Sequence, residues 1–186
     1  MFGSAASYLD GHDISEQNGY YSKRFYEVVA ISPEMQIRLD KIDTLIQDGH
    51  TLNKKWGYYP DLKNSSGKSI NIFGGLLRFS GPAGFSWIAF FFPWAVCAQI
   101  KEWSFFYFVG IFSLMSTALS LAIDSTSSIY EFLTCYFYAN MFPYMRYMAK
   151  KSNVQEYSKP ASIAIGLLLM IVALLPARLI EIMASL

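Results

Sequence analysis

The sequence has little cysteine, little histidine and almost no excess charge. Its 186 residues include two cysteines and two histidines, and the formal net charge is +1. Cys97 and Cys135 lie in apolar segments without CxxC spacing, which excludes a disulfide framework and is poor geometry for a metal site. His12, with Asp13 and Glu16 nearby, lacks a second histidine, so we predict no metal site and no cofactor. Without clustered Lys and Arg, nucleic acid is not an expected partner.

The chain also lacks a secretory signal and the common catalytic motifs. Residues 1–25 have no basic start followed by about 7 to 15 apolar residues, so we expect the N-terminal arm to stay in the cytoplasm. The sequence contains no P-loop, GxGxxG, GxSxG or HExxH motif. No nucleophile with a neighbouring base can be nominated for a membrane enzyme acting on lipid. We therefore predict that the protein is not an enzyme.

What the sequence does have is an apolar second half. Hydrophobic residues make up 53% of the chain and aromatic residues 17%, and 66 of the 99 hydrophobic residues, with all the long apolar segments, follow residue 84. Residues 1–84 form a polar arm with one predicted soluble helix at 33–48, which Ser32 caps and Gly49 ends. Its apolar positions follow helical spacing and must pack on the protein, on a partner or on the membrane surface. They are Met35, Leu39, Ile42 and Ile46.

The membrane domain, residues 85–186, contains four apolar segments. Residues 85–100 are too short for the roughly 20 residues of a spanning helix and contain Pro93. Residues 104–123, 129–148 and 161–182 are long enough. The predicted fold class is an all-α integral membrane protein with a polar arm, one soluble amphipathic helix, one re-entrant or interfacial helix and three transmembrane helices.

Charge at the segment ends predicts which side each connection faces. The connection between the last two segments carries Arg146, Lys150, Lys151 and Lys159, which favours the cytoplasm. The connection after residue 123 carries Asp124 and Glu131 and no base, which favours the outside. Both assignments fail if residues 85–100 cross the bilayer, and both hold if that segment enters and leaves on one face.

The tryptophans of this region favour the same interpretation. Trp87, Trp94 and Trp103 are spaced to lie at the membrane interface, where indole rings prefer to sit. We therefore expect residues 85–100 to be re-entrant or interfacial and the C-terminus to lie outside. The alternative is that this segment crosses the bilayer.

Two blocks resemble a known family. The block FSWIAFFFPWAVCAQIKEW at 85–103 is followed about 35 residues later by YANMFPYMRYMAKK at 138–151. This pairing resembles a widespread bacterial family of small inner-membrane proteins known only as a domain of unknown function. The resemblance covers roughly residues 84–155 and leaves the arm unexplained. It implies a bacterial membrane location and carries no catalytic residues.

Small and polar residues form a stripe on the second membrane segment. Spacings of three and four place them on one helix face, where small residues allow close packing and hydroxyls can bond across helices. We predict a helix-packing or partner-binding surface, and the alternative is a polar permeation path. Its members are Gly110, Ser113, Thr117, Ser120 and Asp124.

The remaining polar membrane residues are predicted to be structural. Asn140 is assigned to packing, because Pro143 removes the donor for the Ala139 carbonyl and the Asn140 amide or a neighbouring hydroxyl can replace it. Glu131 and Arg146 lie near segment ends, so we interpret them as interface anchors rather than functional groups. Lys150 and Lys151 are anchors as well. Arg178 and Glu181, spaced i and i+3, are expected to pair as an outer-leaflet anchor rather than as a charge relay.

These features predict a non-catalytic accessory or scaffold subunit of a larger bacterial inner-membrane complex. Its expected partners are other integral membrane subunits and the lipid bilayer. The alternative is a small transporter or channel component that uses the polar stripe of the second segment.

Overall fold

A computed structural model describes residues 31–74, 81–123 and 129–186. The described chain is mostly helical, with one β-hairpin. The elements in order are α1 (Pro33–Gln47), β1 (Thr51–Lys55), β2 (Tyr59–Lys63), α2 (Trp87–Phe91), α3 (Pro93–Gln99), α4 (Ser104–Ile123), α5 (Ile129–Lys151) and α6 (Lys159–Ala184). The predicted arm over residues 1–30, and Asp124 of the predicted stripe, lie outside the described residues.

Helix α1 begins and ends where the sequence predicts. The Ser32 hydroxyl accepts a hydrogen bond from the Met35 N–H at 3.3 Å, which satisfies one of the free donors of the first turn. Gly49 adopts a φ of 85°. That left-handed conformation lets the His50 N–H reach back to the Leu45 carbonyl, and the helix stops there. The buried side of α1 is the predicted apolar seam.

The hairpin was not predicted, because residues 50–68 read as a turn-rich segment. Strands β1 and β2 pair antiparallel, with Leu52 opposite Leu62. The loop places Trp56 and Gly57 at φ values of 55° and 81°. A bulky residue is rare in this left-handed region, so Trp-Gly lacks the Asn-Gly pattern by which hairpin turns are usually recognised. The hairpin means that the chain is not purely α-helical.

Helices α2 and α3 form one short segment that doubles back on itself. At its start, the Ser86 N–H donates to the Ala139 carbonyl in the middle of α5. The Phe90 ring then lies 5.6 Å from that of Phe132, closer to the N-terminus of α5. After the break before Pro93, the chain returns until Gln99 accepts a hydrogen bond from the Tyr157 N–H, beyond the C-terminal end of α5. Even joined end to end, α2 and α3 would extend only roughly 20 Å at about 1.5 Å per residue, short of a hydrocarbon core of about 30 Å.

Two described helices are long and apolar enough to cross a membrane, α4 over Ser104–Ala122 and α6 over Lys159–Ala184. They run parallel and pack against each other. Helix α5, the third predicted crossing, is not among them. Its residues 138–146 are all buried, and they contact α1, α2, α4 and the hairpin. The polar side chains of this stretch, Asn140 and Arg146, therefore face protein, whereas Glu131, Lys150 and Lys151 toward the two ends of α5 are exposed.

Helix α1 and the hairpin, residues 33–63, together form what we call the platform. Met35, Leu39, Ile42 and Leu62 of the platform join Phe142 and Met145 of α5 in one apolar cluster. The Tyr147 hydroxyl donates to the Asp43 carboxylate at 2.6 Å. These contacts hold the platform against the C-terminal half of α5.

Candidate functional site

Helix α6 approaches its neighbours most closely at two points. A Cβ atom added to Gly110 would lie 3.3 Å from the Ala173 carbonyl oxygen. A Cβ atom added to Gly166 would lie 2.8 Å from both the Trp94 ring and the Trp94 carbonyl oxygen. Missing side chains thus let α4 and α3 contact the backbone of α6, as is typical of helix packing in membranes. Gly110 packs on α6 rather than on α5.

Polar groups continue this contact toward the C-terminal ends of α4 and α6. The buried Thr117 hydroxyl donates to one oxygen of Glu181 at 3.0 Å. Arg178 donates to the other oxygen at 2.7 Å, in the pair that the i, i+3 spacing predicts. The bond from Thr117 was not predicted, because spacing within one helix carries no information about which other helix it faces.

A cavity of about 360 Å³ lies among α3, α4, α5 and α6. It is large enough for several water molecules or a small solute. One wall is aromatic and aliphatic, and it includes Trp94 and Phe112. The polar lining is mixed in charge and comprises Ser113, Ser116, Thr117, Glu131, Thr134, Cys135, Arg178 and Glu181.

The polar groups of this cavity differ in how they are bonded. Glu181 is held by Thr117 and Arg178, and the Thr134 hydroxyl donates to the Tyr130 carbonyl within α5 at 2.7 Å. The Glu131 carboxylate forms no hydrogen bond or ion pair with any other described residue. A carboxylate without a fixed partner at the wall of a cavity can neutralise a cationic solute or exchange a proton. The cavity is therefore the strongest candidate site for a ligand between the helices.

The structure brings part of the predicted stripe to this cavity. Ser113 and Thr117 line it, while Ser120 is half-buried and does not. Asp124 lies outside the described residues. Glu131, Arg178 and Glu181 lie at the same cavity, although their sequence positions predicted separate anchors. Sequence spacing cannot reveal this, because the three residues come from two different helices.

Asn140 does not replace the donor that Pro143 removes. The Ala139 carbonyl instead accepts the Ser86 N–H at 3.0 Å, so the break caused by Pro143 fixes the start of the α2–α3 segment. The predicted compensation by Asn140 is wrong. Its amide N–H donates to the Tyr136 carbonyl at 2.8 Å. Its Oδ1 atom is buried without a partner in the described part of the chain.

The predicted anchors occupy different environments. Trp87 and Trp103 are exposed, whereas Trp94 is half-buried and packs on Gly166. Lys150 and Lys151 are exposed at the end of α5.

Arg146 is buried and makes two hydrogen bonds to Glu156, at 3.1 and 2.7 Å. Gln99 donates to the same carboxylate at 3.0 Å. Arg146 thus connects α5 to the end of α3 through a paired, hydrogen-bonded charge, which is the condition under which a charge is tolerated in a protein interior.

A second polar network joins the hairpin to the start of α4. Lys54 forms an ion pair with Glu102, and the Ser104 hydroxyl donates to the same carboxylate at 2.7 Å. The Tyr138 hydroxyl of α5 lies 2.9 Å from that of Ser104. Within residues 31–74, 81–123 and 129–186, no group of three or more His, Cys, Asp or Glu side chains is arranged to hold a metal ion.

Comparison with known protein families, with characterised proteins and with solved structures finds no match to this chain.

Proposed function

We propose that this protein is a non-catalytic accessory or scaffold subunit of a larger complex in a bacterial inner membrane. One observation carries the proposal: the platform is fastened to the long helices by apolar packing and by polar bonds between distant residues. Arg38 of α1 donates to the Phe85 carbonyl at 2.7 Å, and Tyr147 of α5 donates to Asp43 of α1. A folded surface held rigidly beside membrane helices is suited to binding another protein.

The bond from Arg38 also fixes the entry of the α2–α3 segment. Partial burial lowers the pKa of Arg38 from its usual value, and the Glu34 carboxylate partly offsets this effect. The guanidinium stays charged at any physiological pH, because its pKa starts above about 12. This contact therefore acts as a permanent structural link and not as a titrating group.

In the proposed topology, α4, α5 and α6 cross the bilayer and the α2–α3 segment is re-entrant. The start of that segment contacts the middle of α5, and its end contacts the connection between α5 and α6. Lys101, Lys150, Lys151 and Lys159 are on this same side, which the preference of Lys and Arg for cytoplasmic loops assigns to the cytoplasm. The N-terminal arm is then cytoplasmic. Pro93 itself is buried against protein, which suits non-helical backbone at membrane depth.

The platform offers two exposed anchors for a partner. Ile37 on α1 is 57% exposed and Trp56 at the hairpin loop is 73% exposed. Large apolar and aromatic side chains of this kind supply much of the binding energy at protein interfaces. We therefore assign the partner-binding surface to the platform, together with the lipid-facing sides of α4 and α6 for other integral subunits.

Purification in mild detergent at native abundance tests the proposal. We expect integral membrane proteins to copurify in fixed stoichiometry, and the double substitution Ile37→Ser with Trp56→Asn to reduce their recovery. Asn tolerates the left-handed backbone at position 56, so the hairpin should persist. Gln47→Ser, at an exposed position of α1, is the matched control and should retain the partners. Elution of the unaltered protein alone as a monomer would contradict the proposal.

A second candidate function is that of a small transporter or channel component. The observation that favours it is the cavity among α3, α4, α5 and α6, with Glu131 on its wall. Because the described polar lining combines a carboxylate that has no described partner with several hydroxyls, a small cation is the solute that it fits.

Flux of small cations into reconstituted vesicles tests this second function. We expect Glu131→Gln, and separately Ser113→Ala with Thr117→Ala, to lower the flux without altering assembly. Ser120→Ala is the matched control, because Ser120 lies on the same helix outside the cavity lining. Equal flux in all variants would exclude transport through this cavity.

A further inference from the structure

A second cavity, distinct from the one between the helices, opens beside the platform. It has a volume of about 780 Å³ and lies between β1, the turn after α3 and the C-terminal end of α5. We call it the basic cleft, because Lys54, Lys101 and Lys151 line it. Its floor is apolar and includes Ile100, Met145 and Met148.

The charges of the basic cleft do not balance within the protein. Lys54 is paired with Glu102, which is the one carboxylate of the lining. Lys101 and Lys151 have no carboxylate partner among the described residues. The Lys101 ammonium instead lies over the Tyr157 ring, 4.8 Å from its centroid. Two ammonium groups therefore remain available to an anion.

The backbone at this cleft is held in an uncommon conformation. Lys101 has a φ of 58°. The turn is closed by bonds from the Lys101 N–H to Ala98 and from the Glu102 N–H to Cys97, at 3.1 and 2.8 Å. Helix ends of this kind normally use glycine, because other side chains are strained there. Strain retained beside a cavity is an indication of function.

We infer that the basic cleft binds the phosphate of an anionic glycerophospholipid. Lys101 and Lys151 contact the phosphate oxygens, and the apolar floor receives the glycerol and the first methylene groups of the acyl chains. A free phosphate ion would gain nothing from Met145 and Met148. A lipid can contact the lysines with its phosphate and the apolar floor with its glycerol and methylene groups. Trp103, 37% exposed and two residues from Lys101, marks this level of the protein as membrane interface.

This inference is independent of the scaffold role, because it concerns lipid and not a protein partner. It is tested with the full chain in a neutral detergent, using short-chain dihexanoyl phosphatidylglycerol as the probe. We expect saturable binding that weakens at least tenfold in Lys101→Asn and in Lys151→Gln. Lys150→Gln removes an adjacent exposed charge outside the cleft and should leave the affinity within twofold of the unaltered protein.

Lys101→Gly separates binding from folding. Because glycine relieves the backbone strain, its thermal midpoint should equal or exceed that of the unaltered protein while lipid binding is lost. Retained binding in Lys101→Gly would overturn the inference. Dihexanoyl phosphatidylcholine should bind at least tenfold more weakly, and inorganic phosphate should not compete at a hundredfold excess over the lipid. Equal binding of phosphatidylcholine, competition by phosphate, or an equal loss in Lys150→Gln would each overturn it.

Discussion

Helices α5 and α6 are similar in length but bury opposite kinds of residue. Helix α5, 23 residues long, buries large side chains and also the polar Asn140 and Arg146. Helix α6, 26 residues long, buries Ser162, Gly166 and Ala177. Its large apolar residues point outward, which is the reverse of a helix in water. The apolar outward face of α6 is consistent with a helix that could cross a membrane, whereas the buried Arg146 of α5 is paired with Glu156 inside the protein.

The largest expected effect is on the buried half of α5. Phe142 is 1% exposed, so Phe142→Ala leaves a cavity and should lower the free energy of unfolding by about 3 to 5 kcal/mol. Leu168 on α6 is 61% exposed, so Leu168→Ala should change the free energy of unfolding by less than about 0.5 kcal/mol. Denaturant unfolding in detergent measures both. Similar losses in the two variants would mean that α6 also faces protein in the isolated chain.

A smaller effect is expected at the two points where α6 packs closely on α3 and α4. Gly166→Ala forces a methyl group against Trp94 and should lower the free energy of unfolding by about 1 to 3 kcal/mol. In Gly110→Ala the added methyl group lies farther from its nearest neighbour, the Ala173 carbonyl oxygen. The loss in free energy of unfolding should therefore be less than half that of Gly166→Ala. Thermal midpoints of the two purified variants give the comparison. An equal cost at both positions would contradict the close packing of α3 on α6.

The smallest expected effect tests how α5 holds the α2–α3 segment. Pro143→Ala restores an N–H that competes with Ser86 for the Ala139 carbonyl. The free energy of local opening at Ser86 should fall by about 1 kcal/mol, which is the net contribution of one hydrogen bond to stability. Hydrogen exchange at the Ser86 amide measures it.

Pro160→Ala is the control for this experiment. Pro160 lies in the first turn of α6, where an added N–H has no intrahelical acceptor to compete for. Exchange at Ser86 should be unchanged in this variant. Exchange that is also unchanged in Pro143→Ala would indicate that the hydrogen bond to Ala139 does not hold the segment.

The features that follow from neighbouring residues were predictable. Ser32, Pro33 and Gly49 set the limits of α1, because caps and left-handed glycines act within one helical turn. The apolar runs at 104–123 and 161–182 correspond to the two helices that can cross a membrane. Pairing of Arg178 with Glu181 also followed from their separation by three positions.

The features that join distant residues were not predictable. The sequence indicated that Pro143 frees the Ala139 carbonyl, and the predicted replacement donor was the Asn140 amide or a neighbouring hydroxyl. The donor is the Ser86 N–H, 53 positions earlier in the chain. The β-hairpin was not predicted, because its loop has Trp56 where the usual turn pattern has Asn. The cavity that gathers Glu131, Arg178 and Thr117 depends on how α4, α5 and α6 pack.

Local sequence was enough to locate α1 and the two apolar helices α4 and α6, since hydrogen bonds and side-chain hydration act over a few residues. It placed the end of α5 at residue 148, three positions before the helix ends at Lys151. Only the packing of the helices shows that residues 138–146 of α5 are buried, that Arg146 is paired with Glu156 and that Lys101 and Lys151 line one cleft. These outcomes depend on shape complementarity and charge pairing between segments far apart in the chain, and spacing along the chain does not encode them.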